Sequence, residues 1–152
     1  MIALLLALAG NPPPPPSPPP PPPSIDGLPI AGLPRQSLPD RGCAAYLFSA
    51  GQTRTLAAVA TADPPTLRIA LDGKVADYPR AAQAGVGALG LSGTTVYHAG
   101  DVTATLDMTI ATPADLLDGA AVPAATLRIE RPGRDGLVLP LGGLIGCAKQ
   151  AA

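Results

Sequence analysis

From Cys43 onward, apolar and polar residues alternate in short runs broken by turn residues. That is the pattern of antiparallel strands with one face buried. The clearest run places Val102, Ala104, Leu106, Met108 and Ile110 on one face and Thr103, Thr105, Asp107 and Thr109 on the other. Thr94–His98 precedes it, and Gly100-Asp101 closes the pair as a hairpin. Thr66–Leu71 alternates in the same way and runs into Asp72-Gly73, a two-residue hairpin signal because both central positions of the favoured turn need φ > 0. Lys74–Tyr78 reads as the return strand, stopped by Pro79. Cys43–Ala50 and Thr53–Thr61 form a further pair around Gly51-Gln52, and Ala125–Arg131 with Leu137–Leu141 form the last hairpin. Thr112-Pro113-Ala114-Asp115 carries a helix-start signature, an N-cap threonine followed by proline, which predicts one short helical turn near 113–118. The expected fold is all-β: an antiparallel sandwich or flattened barrel of about seven or eight strands.

Ahead of this pattern, periodicity disappears. The tract from Pro12 to Pro23 is proline except for Ser17. Proline fixes φ and has no N–H for a ladder, so the tract predicts an extended rod, roughly 37 Å long at about 3.1 Å per residue. Ile2–Ala9 is an apolar run too short to span a bilayer, and Ala7-Leu8-Ala9 at its end supplies small residues suited to signal cleavage. It carries no preceding Lys or Arg, so either the signal is minimal or the natural start lies upstream of Met1. Leu6–Gly10 also matches the start of a lipoprotein box, but Asn11 stands where the acylated cysteine belongs, and no lipid anchor is expected. The organisation read from sequence is a signal peptide at 1–9, a proline-rich disordered linker at 10–41, a β-domain at 42–148 and a tail at 149–152. Within the linker, Leu28-Pro29-Ile30 is the part able to lie along the domain as an edge.

Composition narrows the function classes. Ten Lys and Arg against eleven Asp and Glu give a net charge of −1, and the four aromatics are Tyr46, Phe48, Tyr78 and Tyr97. A nucleic-acid binder wants a basic stripe with stacking rings, so nucleic acid is not an expected partner. The absence of Trp likewise argues against an aromatic carbohydrate platform. Much of the apolar content is alanine, which buries little area, so the core needs support. Cys43 and Cys147 bracket the domain, and in an exported chain two cysteines are most simply a disulfide. The pairing makes the first and last strands neighbours. The compartment expected is periplasmic or secreted.

Little else in the sequence carries chemistry. His98, the single histidine, sits near Asp101 at a hairpin tip, a weak candidate for proton transfer, with an exposed turn histidine as the plainer reading. A catalytic zinc needs three protein ligands, and no metal or cofactor is expected. Asp77 and Asp107 lie on strands that could bring carboxylates together. No serine sits in a Gly-x-Ser-x-Gly elbow. Gly85, Gly87 and Gly90 have dinucleotide-fingerprint spacing but lack a βαβ setting, so they read as a turn or bulge. Ser92-Gly93-Thr94-Thr95-Val96-Tyr97 resembles a patch of the membrane-bound lysozyme inhibitor family. The resemblance stops there: His98-Ala99-Gly100-Asp101 replaces the aromatic-Lys-Gly segment that the family would have next, and the chain is not assigned to it. These features lead to a non-enzymatic envelope-associated or secreted interaction module behind a proline spacer, with an unknown protein or envelope partner. A small periplasmic inhibitor of a wall-degrading enzyme such as lysozyme is the alternative, and a hydrolase the weakest reading.

Overall fold

A computed structural model describes residues 10–20, 23–51, 53–116 and 118–149. The segment expected as a signal peptide, 1–9, lies outside the described residues. Among the described residues, nine strands form one antiparallel sheet: β1 (Ile30–Ala31), β2 (Cys43–Ser49), β3 (Leu56–Ala62), β4 (Pro65–Leu71), β5 (Lys74–Ala84), β6 (Thr94–Ala99), β7 (Val102–Ala111), β8 (Gly119–Glu130) and β9 (Leu137–Cys147). Each strand from β2 to β8 pairs with the next, and β9 returns to β2, so these eight strands close into an up-and-down barrel. Closure leaves no free edge in the ring. Cys43 and Cys147 are register partners in the closing β2–β9 pair and are joined by a disulfide across 104 residues of sequence.

Alternation decides which side chains fill the interior. Leu47, Leu67, Ile69, Leu106, Leu127 and Leu139 point inward and are fully buried. Alanines at 58 and 60 stand in register beside Leu47, Ile69 and Leu67, and Ala45 beside Ala60, so small residues sit next to large ones in the filling of a narrow barrel. The Asp72-Gly73 turn has positive φ at both residues, 52° and 78°, as its sequence predicts.

Two elements differ from expectation. Pro79 does not stop β5: it pairs with Thr66 at the end of the β4 ladder, and the β6 ladder starts at Arg80. A missing N–H costs least at such a junction. The helical turn near 113–118 does not form. Ala114-Asp115 is a simple turn closed by the Leu116 N–H donating to the Pro113 carbonyl at 3.1 Å, and there is no helix among the described residues. A few residues tied at both ends to strands cannot repay helix nucleation.

The packed unit begins well before Gly42. Ile25 and Ile30 are buried in the core, and the Asp72 N–H donates to the Pro29 carbonyl at 2.8 Å. Residues 24–31 thus fold as a short bracket against the end of β4, with β1 paired to Ala70 and Leu71. Residues 32–42 then run as a strap down the outer wall. Leu33 packs there with Ala44, Val59 and Ala70, and the Tyr46 hydroxyl donates to the Ser37 carbonyl at 2.7 Å. Residues 24–41, expected as linker, are therefore largely laid on the barrel. Residues 10–20 are exposed throughout.

Candidate binding surfaces

Strand alternation gives the barrel two distinct ends. The tip end carries the turns at 72–73, 100–101 and 131–136, together with the bracket from which the proline tract departs. The disulfide end carries the loops at 63–64, 85–93 and 112–118.

The structure does not bring His98 and Asp101 into one site. His98 is exposed on β6 and its Nδ1 lies 3.1 Å from the Thr103 hydroxyl on β7. Asp101 instead borders a shallow depression of about 420 Å³ at the tip end, with Asp72, Lys74, Tyr78, Arg131 and Arg134. Asp72 pairs with both arginines. Burial raises the Tyr78 phenol above its ordinary range, Arg131 opposes that shift, and Asp72 and Asp101 add to it. Asp77 is held by Arg68 in a two-pronged contact, Nε at 2.7 Å and a terminal nitrogen at 3.0 Å, while Asp107 accepts from the Thr94 hydroxyl at 2.6 Å. Among the described residues no group of three His, Cys, Asp or Glu side chains is placed to hold a metal ion.

The most distinctive surface is the 85–93 loop at the disulfide end. Close approach requires Gly87 and Gly93, and positive φ favours glycine at 85 and 90. A Cβ on Gly87 would lie 1.9 Å from the Leu91 carbonyl oxygen, and one on Gly93 would lie 2.8 Å from that of Val86. Ala88 and Leu91 exchange N–H···O bonds of 2.9 and 3.0 Å around Leu89-Gly90, whose φ values are 58° and 81°. Two consecutive positive φ values define the mirror-image tight turn that Asn-Gly usually supplies. Leucine in that conformation costs about 1–2 kcal/mol. Leu91 is buried in the core, and the Gly93 carbonyl accepts from Met108 N–H at 2.7 Å, so the loop is anchored at its base. Held this way, it sends two apolar side chains outward: Val86 is 93% exposed and Leu89 38%.

Ser92–Tyr97 rises directly from this loop into β6. Ser92 donates to Gln83 Oε1 at 3.1 Å, and Thr95 and Tyr97 turn inward and are buried. Val86 and Leu89 were not legible as site residues, since apolar residues next to strands read as core. The signal that could have found them is an apolar residue standing between closely spaced glycines. Comparison with family models, curated proteins and solved structures finds no match for this chain.

Proposed function

We propose that this protein is a non-enzymatic interaction module of the periplasm or the extracellular space, displayed on its proline tract, that engages a partner protein through the 85–93 loop. The observation that carries this reading is Val86 and Leu89 presented on a backbone fixed by glycines and reciprocal hydrogen bonds. Fully burying an exposed Val or Leu side chain is worth about 1.5–3 kcal/mol, most of which Val86 at 93% exposure can contribute and only a minor part of which Leu89 at 38% can, and a pre-formed loop loses little freedom when it binds. The tether supports the same picture, because it leaves from the tip end while the loop stands at the opposite end. The disulfide is compatible with an oxidising compartment, and among the described residues no helix is long and apolar enough to cross a membrane.

A photo-reactive residue at position 86 tests the reading in cells that make the protein. A discrete adduct is expected at 86, absent from position 136 at the tip end and lost when Leu89→Asp is added. Equal adducts at 86 and 136, or none at 86, would contradict it.

A second reading, inhibition of a wall-degrading enzyme such as lysozyme, is favoured by the continuity of the loop with Ser92–Tyr97. The purified chain would then slow lysozyme clearance of a cell-wall suspension, and Val86→Asp would abolish the effect. A hydrolase draws less support, since His98 bonds to Thr103 and does not line the depression that Asp101 borders.

A further inference from the structure

The outer wall holds an apolar ridge that the loop does not use. Phe48 on β2 is 37% exposed and Leu144 on β9 is 59% exposed, and a groove flanks them on each side. One groove, of about 540 Å³, lies under the strap and is bordered by Leu38, Tyr46 and Arg35. The other, of about 650 Å³, opens where β8 bulges at Pro123 and is bordered by Arg54. Neither groove is lined by an aspartate or glutamate. Arg35 and Arg54 are exposed and make no ion pair among the described residues. The site therefore asks for an apolar side chain carried between carboxylates.

The same chain exposes such an element. In the 112–118 loop, Leu116 is 45% exposed, and Asp115 and Asp118 stand exposed beside it without an ion pair among the described residues. This loop does not line either groove of its own copy. We propose that the 112–118 loop of one copy docks in the wall grooves of a second, with Leu116 against Phe48 and Leu144 and its aspartates facing Arg35 and Arg54. Seated one-sidedly, one loop in the grooves of the next copy, the contact is heterologous, and copies add head to tail. Opposite charges on exposed surfaces make the association salt-sensitive.

Sedimentation velocity on the full disulfide-bonded chain tests this. The expected result is a sedimentation coefficient that climbs with concentration past the dimer value at low salt and falls back toward monomer as salt is raised. Leu144→Asp and Leu116→Asp should each leave a monomer at every concentration, with unchanged circular dichroism showing that the barrel is intact. Charge reversal gives the sharper test. An Arg35→Glu/Arg54→Glu chain and an Asp115→Lys/Asp118→Lys chain should each be monomeric alone and should associate again when mixed. A wild-type chain that stays monomeric, association that survives these substitutions, or a mixture that fails to recover would each overturn the proposal. So would a monomer whose ridge binds vesicles of phosphatidylcholine and phosphatidylglycerol and loses them on Leu144→Asp, since that would assign the grooves to an anionic lipid surface.

Discussion

Gly143 sits where the barrel closes, and an added Cβ would stand 1.9 Å from the Tyr46 carbonyl oxygen. No rotamer relieves a clash between a Cβ and a backbone atom, so Gly143→Ala must part the β2–β9 seam. We expect it to cost about 2–4 kcal/mol in denaturant unfolding, whereas Gly136→Ala, with open space around it, should change stability by less than about 0.5 kcal/mol. Tyr97 makes a separate prediction. Its phenol is buried, which raises its pKa above the ordinary 10.0, while a hydrogen bond with Thr95 and the charge of Arg80 oppose the rise. A raised acid pKa means that the folded state prefers the neutral phenol. The corresponding stability is complete below about pH 10 and is lost as pH rises through the folded value. Tyr97→Phe should therefore flatten the decline in unfolding free energy above pH 10. It should not abolish it, because burial raises Tyr78 and Tyr46 as well. An unchanged alkaline limb would show that Tyr97 ionises without cost in the fold.

At the scale of an element, the 85–93 loop offers a test that separates binding from stability. Leu89 occupies a backbone conformation that Asn tolerates far better. Leu89→Asn should raise unfolding free energy by a few tenths to about 1 kcal/mol while weakening the contact made from position 86. A variant that is less stable, or one that keeps its contact, would remove the reason for a leucine there. The strands around this loop were legible in advance for a plain reason: period-two alternation is a local property. Val102–Ile110 and the Asp72-Gly73 turn carry it without interruption. What was not legible depended on distant partners. Pro79 is tolerated because of where two ladders meet, and Ile25 and Ile30 enter the core only once the barrel exists to receive them. Thr112–Asp115 has the local chemistry of a helix start, but its ends are committed to β7 and β8. The candidate loop was hidden for a related reason. Exposure of Val86 follows from three-dimensional closure around Gly87 and Gly93, which the glycine spacing marks but strand alternation does not encode. The pairing of Cys43 with Cys147 needed only their count and the export context.

Across the whole molecule, the disulfide, the β2–β9 seam and the 24–31 bracket together hold a small alanine-rich barrel closed. A cross-link spanning about 100 residues is worth roughly 4.7 kcal/mol in the chain-entropy model. Cys43→Ala/Cys147→Ala should accordingly lose about 2–5 kcal/mol of unfolding free energy, and a loss below about 1 kcal/mol would mean that the seam holds without it. The proline tract leaves from one end of this body and the glycine-fixed loop projects from the other, an arrangement suited to reaching a partner at a distance. That account depends on the loop being formed before anything binds. Native-state hydrogen exchange of the isolated protein measures this directly, amide by amide. The account predicts that the Ala88 and Leu91 amides, which bond to each other's carbonyls, exchange far more slowly than the exposed Asn11, just before the proline tract, and Ser17 within it. Exchange at Ala88 and Leu91 as fast as at Asn11 and Ser17 would mean that the loop is not pre-formed, and the binding surface assigned to it would fall.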